Sequence, residues 1–231
     1  MADDTSLVSK MLVRTAIWTV FSAALLFVPA GTLFWPEGWI YLVLICGLGL
    51  VSGLIIAERD PELLKERMGS PVQKDQKGWD KILISVFFAL WLVQYVVAGL
   101  DAVRFHTSDV PIWLKVLGAA GIVVGLYVFH VVMLTNTFAA PVVKIQTDRK
   151  QHVISSGPYA YVRHPMYGGA IALILGTGLL LGSWWAFALG IVLIALLSYR
   201  AVLEEETLKR ELDGYADYAQ RVRFRLIPGI F

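Results

Sequence analysis

Residues 11–57 read MLVRTAIWTVFSAALLFVPAGTLFWPEGWIYLVLICGLGLVSGLIIA, two apolar runs parted only by the turn Trp35-Pro36-Glu37. A hydrocarbon core of about 30 Å takes roughly 20 apolar residues of helix to cross. The runs from Met11 to Phe34 and from Gly38 to Ala57 are each that long, and the turn between them is too short to let them separate. The stretch predicts a tight transmembrane hairpin. Neither run alternates in the manner of a barrel strand, so α-helix is the spanning structure that satisfies its own backbone hydrogen bonds.

Four more runs follow. Ile82 to Leu100 and Ile112 to Thr135 are full-length spans, while Tyr167 to Leu181 and Trp184 to Tyr199 are shorter and joined through Gly182-Ser183. The last two predict a second hairpin, tilted or partly shielded by protein. With 57% hydrophobic residues, 16% charged residues and a mean hydropathy of +0.66, the chain is more apolar than a soluble domain requires. The expected fold is an all-α, polytopic integral membrane bundle of about six transmembrane helices. Of the 20 Lys and Arg residues, only Arg104 and Lys115 fall on one side of this topology; Lys74 and all the others fall on the opposite side. Basic loops stay in the cytoplasm, so an even number of spans with both termini cytoplasmic is expected. The net charge of +2 gives no ground for a nucleic-acid partner. No small-residue cleavage site separates the first run from the second, so the first is read as a retained helix and not a signal peptide. The lone cysteine, Cys46, excludes an intramolecular disulfide framework, offers no metal site and reads as an inert core residue.

Two non-spanning stretches remain on the basic side. Residues 58–81, ERDPELLKERMGSPVQKDQKGWDK, mix both charge signs and predict a connector with a short amphipathic helix over Pro61 to Met68 lying on the headgroups. Residues 136–166, NTFAAPVVKIQTDRKQHVISSGPYAYVRHPM, lead into the final hairpin; Val142 to Ile145 and His152 to Ile154 are read as short extended pieces. The division expected is a scaffold of four helices over residues 1–135 and a catalytic region over residues 136–231.

Three features of that second region point to chemistry when taken together. In Gly157-Pro158-Tyr159 and Arg163-His164-Pro165-Met166-Tyr167 a loop enters a membrane helix, with Pro165 suited to the first turn and His164 near the N-cap. Free N–H groups at a helix N-terminus make a ready anion site. Arg200 and Glu204 share a helix face one turn apart where the last span leaves the membrane, and ionisable groups at that depth are costly unless paired or functional. The tail brings Gly214-Tyr215, Tyr218 and Arg221-Val222-Arg223-Phe224-Arg225, able to pack over the loop and close a pocket. An interfacial anchor explains an Arg-His-Pro alone, and a solvated face explains a run of Glu alone; the joint spacing is what neither explains. His130 reads as an interhelical hydrogen-bonding residue, and Asp101, Arg104 and His106 as solvated loop residues.

The pattern GPYAYVRHPMYGG over residues 157–169, a hairpin, then RAVLEEETLKRELDGYADYAQRVRFRLIPG over residues 200–229 resembles the isoprenylcysteine carboxyl methyltransferase family and its bacterial relatives, more distantly phospholipid N-methyltransferases. The resemblance covers about Asn136 to Gly229. It implies S-adenosylmethionine in a cytoplasmic-side pocket and a lipophilic small-molecule or lipid acceptor entering from the bilayer, with no obligate protein partner and no metal. It implies cofactor contacts at Tyr159, His164, Pro165, Met166 and Tyr167, at Gln146, Gln151, His152, Val153 and Ile154, and at Glu204. Arg200 falls where the family places a substrate-facing arginine. Glu205, the second of the paired glutamates, and His164 are the candidate bases for a thiol or amine acceptor; a carboxylate acceptor needs none. Two rivals stand beside this. Sterol reductases, which use a nicotinamide cofactor, share an Arg-His-Pro element, but Met166 and Glu204-Glu205 stand where those proteins carry Asn and Arg-Asp. A non-enzymatic membrane scaffold predicts that Glu204 and His164 are dispensable for cofactor binding.

Overall fold

A computed structural model describes residues 2–230 except Pro71 and Lys74, so the place of Lys74 in the charge asymmetry lies outside the described residues. Among the described residues the regular structure is helical, with α1 (Ala2–Ala30), α2 (Pro36–Arg59), α3 (Pro61–Arg67), α4 (Gly78–Arg104), α5 (Ile112–Thr135), α6 (Pro165–Leu180), α7 (Trp184–Glu211) and α8 (Tyr215–Arg221). Five of these, α1, α2, α4, α5 and α7, are long and apolar enough to cross a membrane, and α6 is a shorter apolar helix of 16 residues. At 1.5 Å per residue α6 is about 24 Å long, less than the hydrocarbon thickness. Its flanks are correspondingly buried in protein, with Ile174, Thr177 and Leu180 at most 3% exposed.

The first hairpin forms as the opening stretch dictates. Gly31, at φ +73°, ends α1 four residues before the expected boundary, and Pro36 occupies the first turn of α2. Both α2 and α4 contain a π-helical turn, over Val43–Gly47 and Leu100–Arg104. Cys46 lies in the first of these, partly buried and unbridged.

The tightest packing is between α5 and α6, where glycines let backbones touch. A Cβ on Gly176 would lie 2.5 Å from the Gly118 carbonyl oxygen, and one on Gly125 would lie 2.6 Å from that of Gly169. Small residues at such crossings let dispersion hold helices together in lipid, where no hydrophobic force draws them together. Interhelical hydrogen bonds add to it. The Tyr41 and Tyr95 hydroxyls meet at 2.7 Å, Gln94 donates to the Ala186 carbonyl at 2.9 Å, and Ser52 meets His130 Nδ1 at 2.8 Å, the role expected of that histidine.

The loops sort onto two faces. On one, Lys115 pairs with Glu37 at 2.7 Å, and Arg104 donates to the Pro29 carbonyl. There Asp101 is 5% exposed and accepts from Ser108, Thr107 and Ser183, which corrects its reading as a solvated residue: it ties the 105–111 loop to the start of α7. On the other face lie the connector, the 136–164 loop and the tail, where Lys77 pairs with Glu211 and Lys144 with Glu66. Two expectations change here. The amphipathic helix α3 packs inward, with Leu63 fully buried and Leu64 6% exposed among Leu7, Met11, Ile56 and Val132; the early start of α1 supplies an apolar partner that headgroups do not. Val142 to Ile145 and His152 to Ile154 form no strand, since the described residues pair only through an isolated parallel bridge, Val162 with Phe224.

Candidate active site at the membrane margin

Pro165 starts α6, and His164 is its N-cap residue. The tail fixes this corner by main-chain bonds: Arg163 N–H donates to Phe224 O at 3.0 Å and His164 N–H to Arg225 O at 2.8 Å. The Arg163 guanidinium completes the staple by donating to the carbonyls of Val222 and Arg223 and to Glu205 Oε2. From the other side, Tyr218 donates to the Tyr159 carbonyl at 2.7 Å, and Asn136 Nδ2 donates to the Tyr159 hydroxyl at 2.8 Å. Loop and tail therefore close over one another, as their shared side of the bundle suggested.

Beneath them lies a cavity of about 320 Å³. Ten of the thirteen residues singled out from the sequence line it: Gln151, His152, Val153, Ile154, Tyr159, His164, Met166, Tyr167, Arg200 and Glu204. The centre is a chain of polar contacts. Tyr167 donates to Glu204 Oε2 at 2.5 Å and accepts from Arg200, whose guanidinium also lies 5.5 Å over the Tyr167 ring. Arg200 and Glu204, neighbours on one face of α7, are thus joined through a hydroxyl. The His164 ring stacks on Tyr167 with centroids 5.5 Å apart and planes 5° apart, and its Nδ1 stands 3.9 Å from Glu204.

Three predicted residues sit elsewhere. Pro165 is buried in the first turn of α6 and shapes the backbone. Gln146 braces the loop, donating to Phe138 O and accepting from Arg149. Glu205 does not line the cavity: 2% exposed, it holds Arg163, Lys209 and Arg225 at 2.6–2.9 Å. A carboxylate engaged by three cations is a poor proton acceptor, so its geometry is that of a tail clamp.

The sequence reading missed several residues that build this site. Asp80, fully buried, accepts from Arg200 Nε at 2.7 Å, Gln76 Nε2 at 2.8 Å and Val143 N–H at 2.8 Å, joining the connector, the loop and α7. The signal available was an acid at the very edge of an apolar run. Arg67 of α3 also lines the cavity, with Phe87 of α4 and Phe129 of α5. The lining of the cavity thus draws on residues from both sides of position 135.

Burial dominates the protonation of the groups outside the spans. It pulls the His164 imidazolium below its ordinary pKa, against the opposing pull of Glu204 and Glu205. It pushes Tyr159 up to about 12 and raises Tyr215 and Tyr218 as well. The cavity therefore presents a neutral imidazole at His164 and neutral phenols, beside the guanidinium groups of Arg67, Arg163 and Arg200 and the acidic side chain of Glu204. His164 Nε2 is buried with no hydrogen-bond partner, an open position at the N-terminus of α6. Among the described residues no His, Cys, Asp and Glu cluster suited to a metal is present.

Residues 113–213 match the model of a family described as phospholipid methyltransferase. Protein-S-isoprenylcysteine O-methyltransferase B of Arabidopsis thaliana is 27% identical over 145 residues, covering 61% of this chain and 74% of that protein. The protein-S-isoprenylcysteine O-methyltransferase of Schizosaccharomyces pombe is 26% identical over 179 residues, covering 69% and 76%.

Proposed function

The chain belongs to the isoprenylcysteine carboxyl methyltransferase family of membrane methyltransferases, and from that premise we propose that its methyl donor is S-adenosylmethionine, bound in the cavity roofed by the loop and the tail. The observation carrying this reading is the convergence of His164, Tyr167, Arg200 and Glu204 from two helices on one cavity. The residues present fit the donor. As the Nε2–H tautomer His164 donates to a carboxylate, reinforced by the N-terminal dipole of α6. Glu204 accepts from an ammonium or ribose hydroxyl, and the faces of Tyr159 and Tyr167 suit adenine or a sulfonium. Bound there, S-adenosylmethionine supplies a methyl group already activated on positively charged sulfur.

The protein's share of catalysis is alignment and exclusion of water. Tyr167 holds Glu204 in place, Asp80 holds Arg200, and the 136–164 loop with Tyr215 and Tyr218 covers the cavity. A lipophilic acceptor arrives within the bilayer, and membrane lipids surround the bundle as its solvent. The face bearing the connector, loop and tail is the cytoplasmic one, with both termini on that side. The named relatives act on isoprenylcysteine, so an isoprenylcysteine-like carboxylate heads the acceptors, followed by small lipophilic acids and thiols. An aminophospholipid acceptor is the second reading, favoured by the family match to phospholipid methyltransferases. The experiment titrates purified protein with S-adenosylmethionine and with NADPH, then follows labelled methyl transfer to carboxylates, thiols and aminophospholipids. Binding of S-adenosylmethionine and not NADPH is expected, with transfer to a carboxylate; the opposite binding pattern overturns the reading.

A further inference from the structure

Four tyrosines line the cavity under the loop and the tail: Tyr159, Tyr167, Tyr215 and Tyr218. Three of their hydroxyls are engaged, since Tyr159 accepts from Asn136, Tyr167 donates to Glu204, and Tyr218 donates to the Tyr159 carbonyl. The fourth is not. Tyr215 is 5% exposed, and its hydroxyl oxygen is buried with no hydrogen-bond partner. Its ring packs edge-on to Tyr218, centroids 5.5 Å apart, in an apolar cluster with Leu212 that also takes in Val153 and Leu208. A phenylalanine would fill that place equally well. A buried hydroxyl left without a partner costs stability, so packing does not account for the oxygen.

Among the described residues, two buried side-chain polar atoms without a partner belong to residues lining this cavity, the Tyr215 hydroxyl and His164 Nε2. Both residues stand within reach of the same charges, Glu204, Glu205 and Arg163. Glu205 is outnumbered there by Arg163, Lys209 and Arg225, and Glu204 is joined to Arg200 through the Tyr167 hydroxyl. The N-terminus of the 16-residue α6 adds to the positive potential of that corner. Burial and the two glutamates raise the Tyr215 pKa, so the group is a neutral O–H and able to donate. An O–H and an N–H donor in such a corner suit a carboxylate, whose two oxygens take a bond each. Tyr215 belongs to the roof, on α8 beyond the last span, which places it with a water-soluble methyl donor and not with an acceptor held in the bilayer.

We propose that the Tyr215 hydroxyl is a second hydrogen-bond donor to the carboxylate of bound S-adenosylmethionine, beside His164 Nε2–H, and that this bond ties the tail to the methyl donor. The inference rests on the donor reading above and deepens it by giving the tail a residue that reads the ligand. S-adenosylhomocysteine keeps the same carboxylate, so Tyr215 holds the product as it holds the donor. It therefore acts on affinity and KM, and not on the transfer step itself.

The test is Tyr215→Phe in the purified full chain in lipid nanodiscs. S-adenosylmethionine, S-adenosylhomocysteine and decarboxylated S-adenosylmethionine are titrated onto wild type and variant, the last by competition against labelled S-adenosylmethionine where direct titration is too weak. The variant is expected to bind the two carboxylate-bearing ligands about 10-fold more weakly, the value of one charge-assisted hydrogen bond, and the decarboxylated compound within about two-fold of the wild type. Without ligand its melting temperature is expected to equal or exceed the wild type's, because the hydroxyl has no partner to lose. A variant that melts lower without ligand, or fails to fold, overturns the inference by giving the hydroxyl a structural role. An equal loss for the decarboxylated compound overturns the carboxylate assignment. Binding of S-adenosylmethionine by the wild type with no loss in the variant defeats Tyr215 alone. A wild type that binds neither S-adenosylmethionine nor S-adenosylhomocysteine defeats the donor reading, and this inference with it.

Discussion

Within the cavity the decisive unit is the contact of His164 and Tyr167 with Glu204. Because burial lowers the pKa of His164 below the ordinary 6.5, the folded protein takes up this proton at a lower pH than the unfolded chain does. Between those two values the unfolded state holds more protons, so stability falls as pH drops below about 6.5 and is level above it. The melting temperature of purified protein is expected to fall between pH 7.5 and 5.5, with a smaller slope in His164→Gln. Glu204→Gln removes the one carboxylate facing the cavity centre, and S-adenosylmethionine affinity measured by calorimetry is expected to fall about 10- to 100-fold, the value of a charge-assisted hydrogen bond. The sequence made Glu204 and Glu205 look like a pair. Consecutive helical residues point about 100° apart, and only the packing of α7 against α6 and the tail decides which one meets the cavity. Asp80 was illegible for a related reason: its partner Arg200 is 120 residues away, and no local pattern links them.

Helix by helix, legibility follows length and shielding. The four long spans of the first half emerged from hydropathy because each exposes apolar side chains to lipid over its full length. The short apolar run of α6 was legible as well, whereas the inward packing of α3 was not, because it depends on partners from α1 and α5 that are distant in sequence. The closeness of α5 to α6 rests on glycines whose role shows only once the helices are paired. Gly176→Val is expected to prevent close approach to Gly118 and to lower the melting temperature in detergent by several degrees or abolish the folded form. Gly47→Ala, where an added Cβ meets nothing within 4 Å, is the matched control and is expected to melt close to the wild type.

At the scale of the molecule, the two sorted faces and the buried Asp80–Arg200 pair make one object of the scaffold and the site. Asp80→Ala leaves a buried guanidinium without its carboxylate, and a destabilisation of about 3–5 kcal/mol is expected, read as lower thermal stability together with faster proteolysis of the 136–164 loop. Orientation is testable with single cysteines on a Cys46→Ser background. A membrane-impermeant maleimide added to intact cells is expected to label Asp109→Cys and to spare Asp148→Cys; the reverse pattern inverts the topology. The position of His164 at the start of α6 has a kinetic consequence. On the proposed reading, the acceptor approaches His164, the N-cap of this 16-residue helix, from within the bilayer and so meets the site in two dimensions. The variable governing rate is then the acceptor's mole fraction in the bilayer, so added inert lipid should slow turnover by surface dilution even when the total amount of acceptor is held constant.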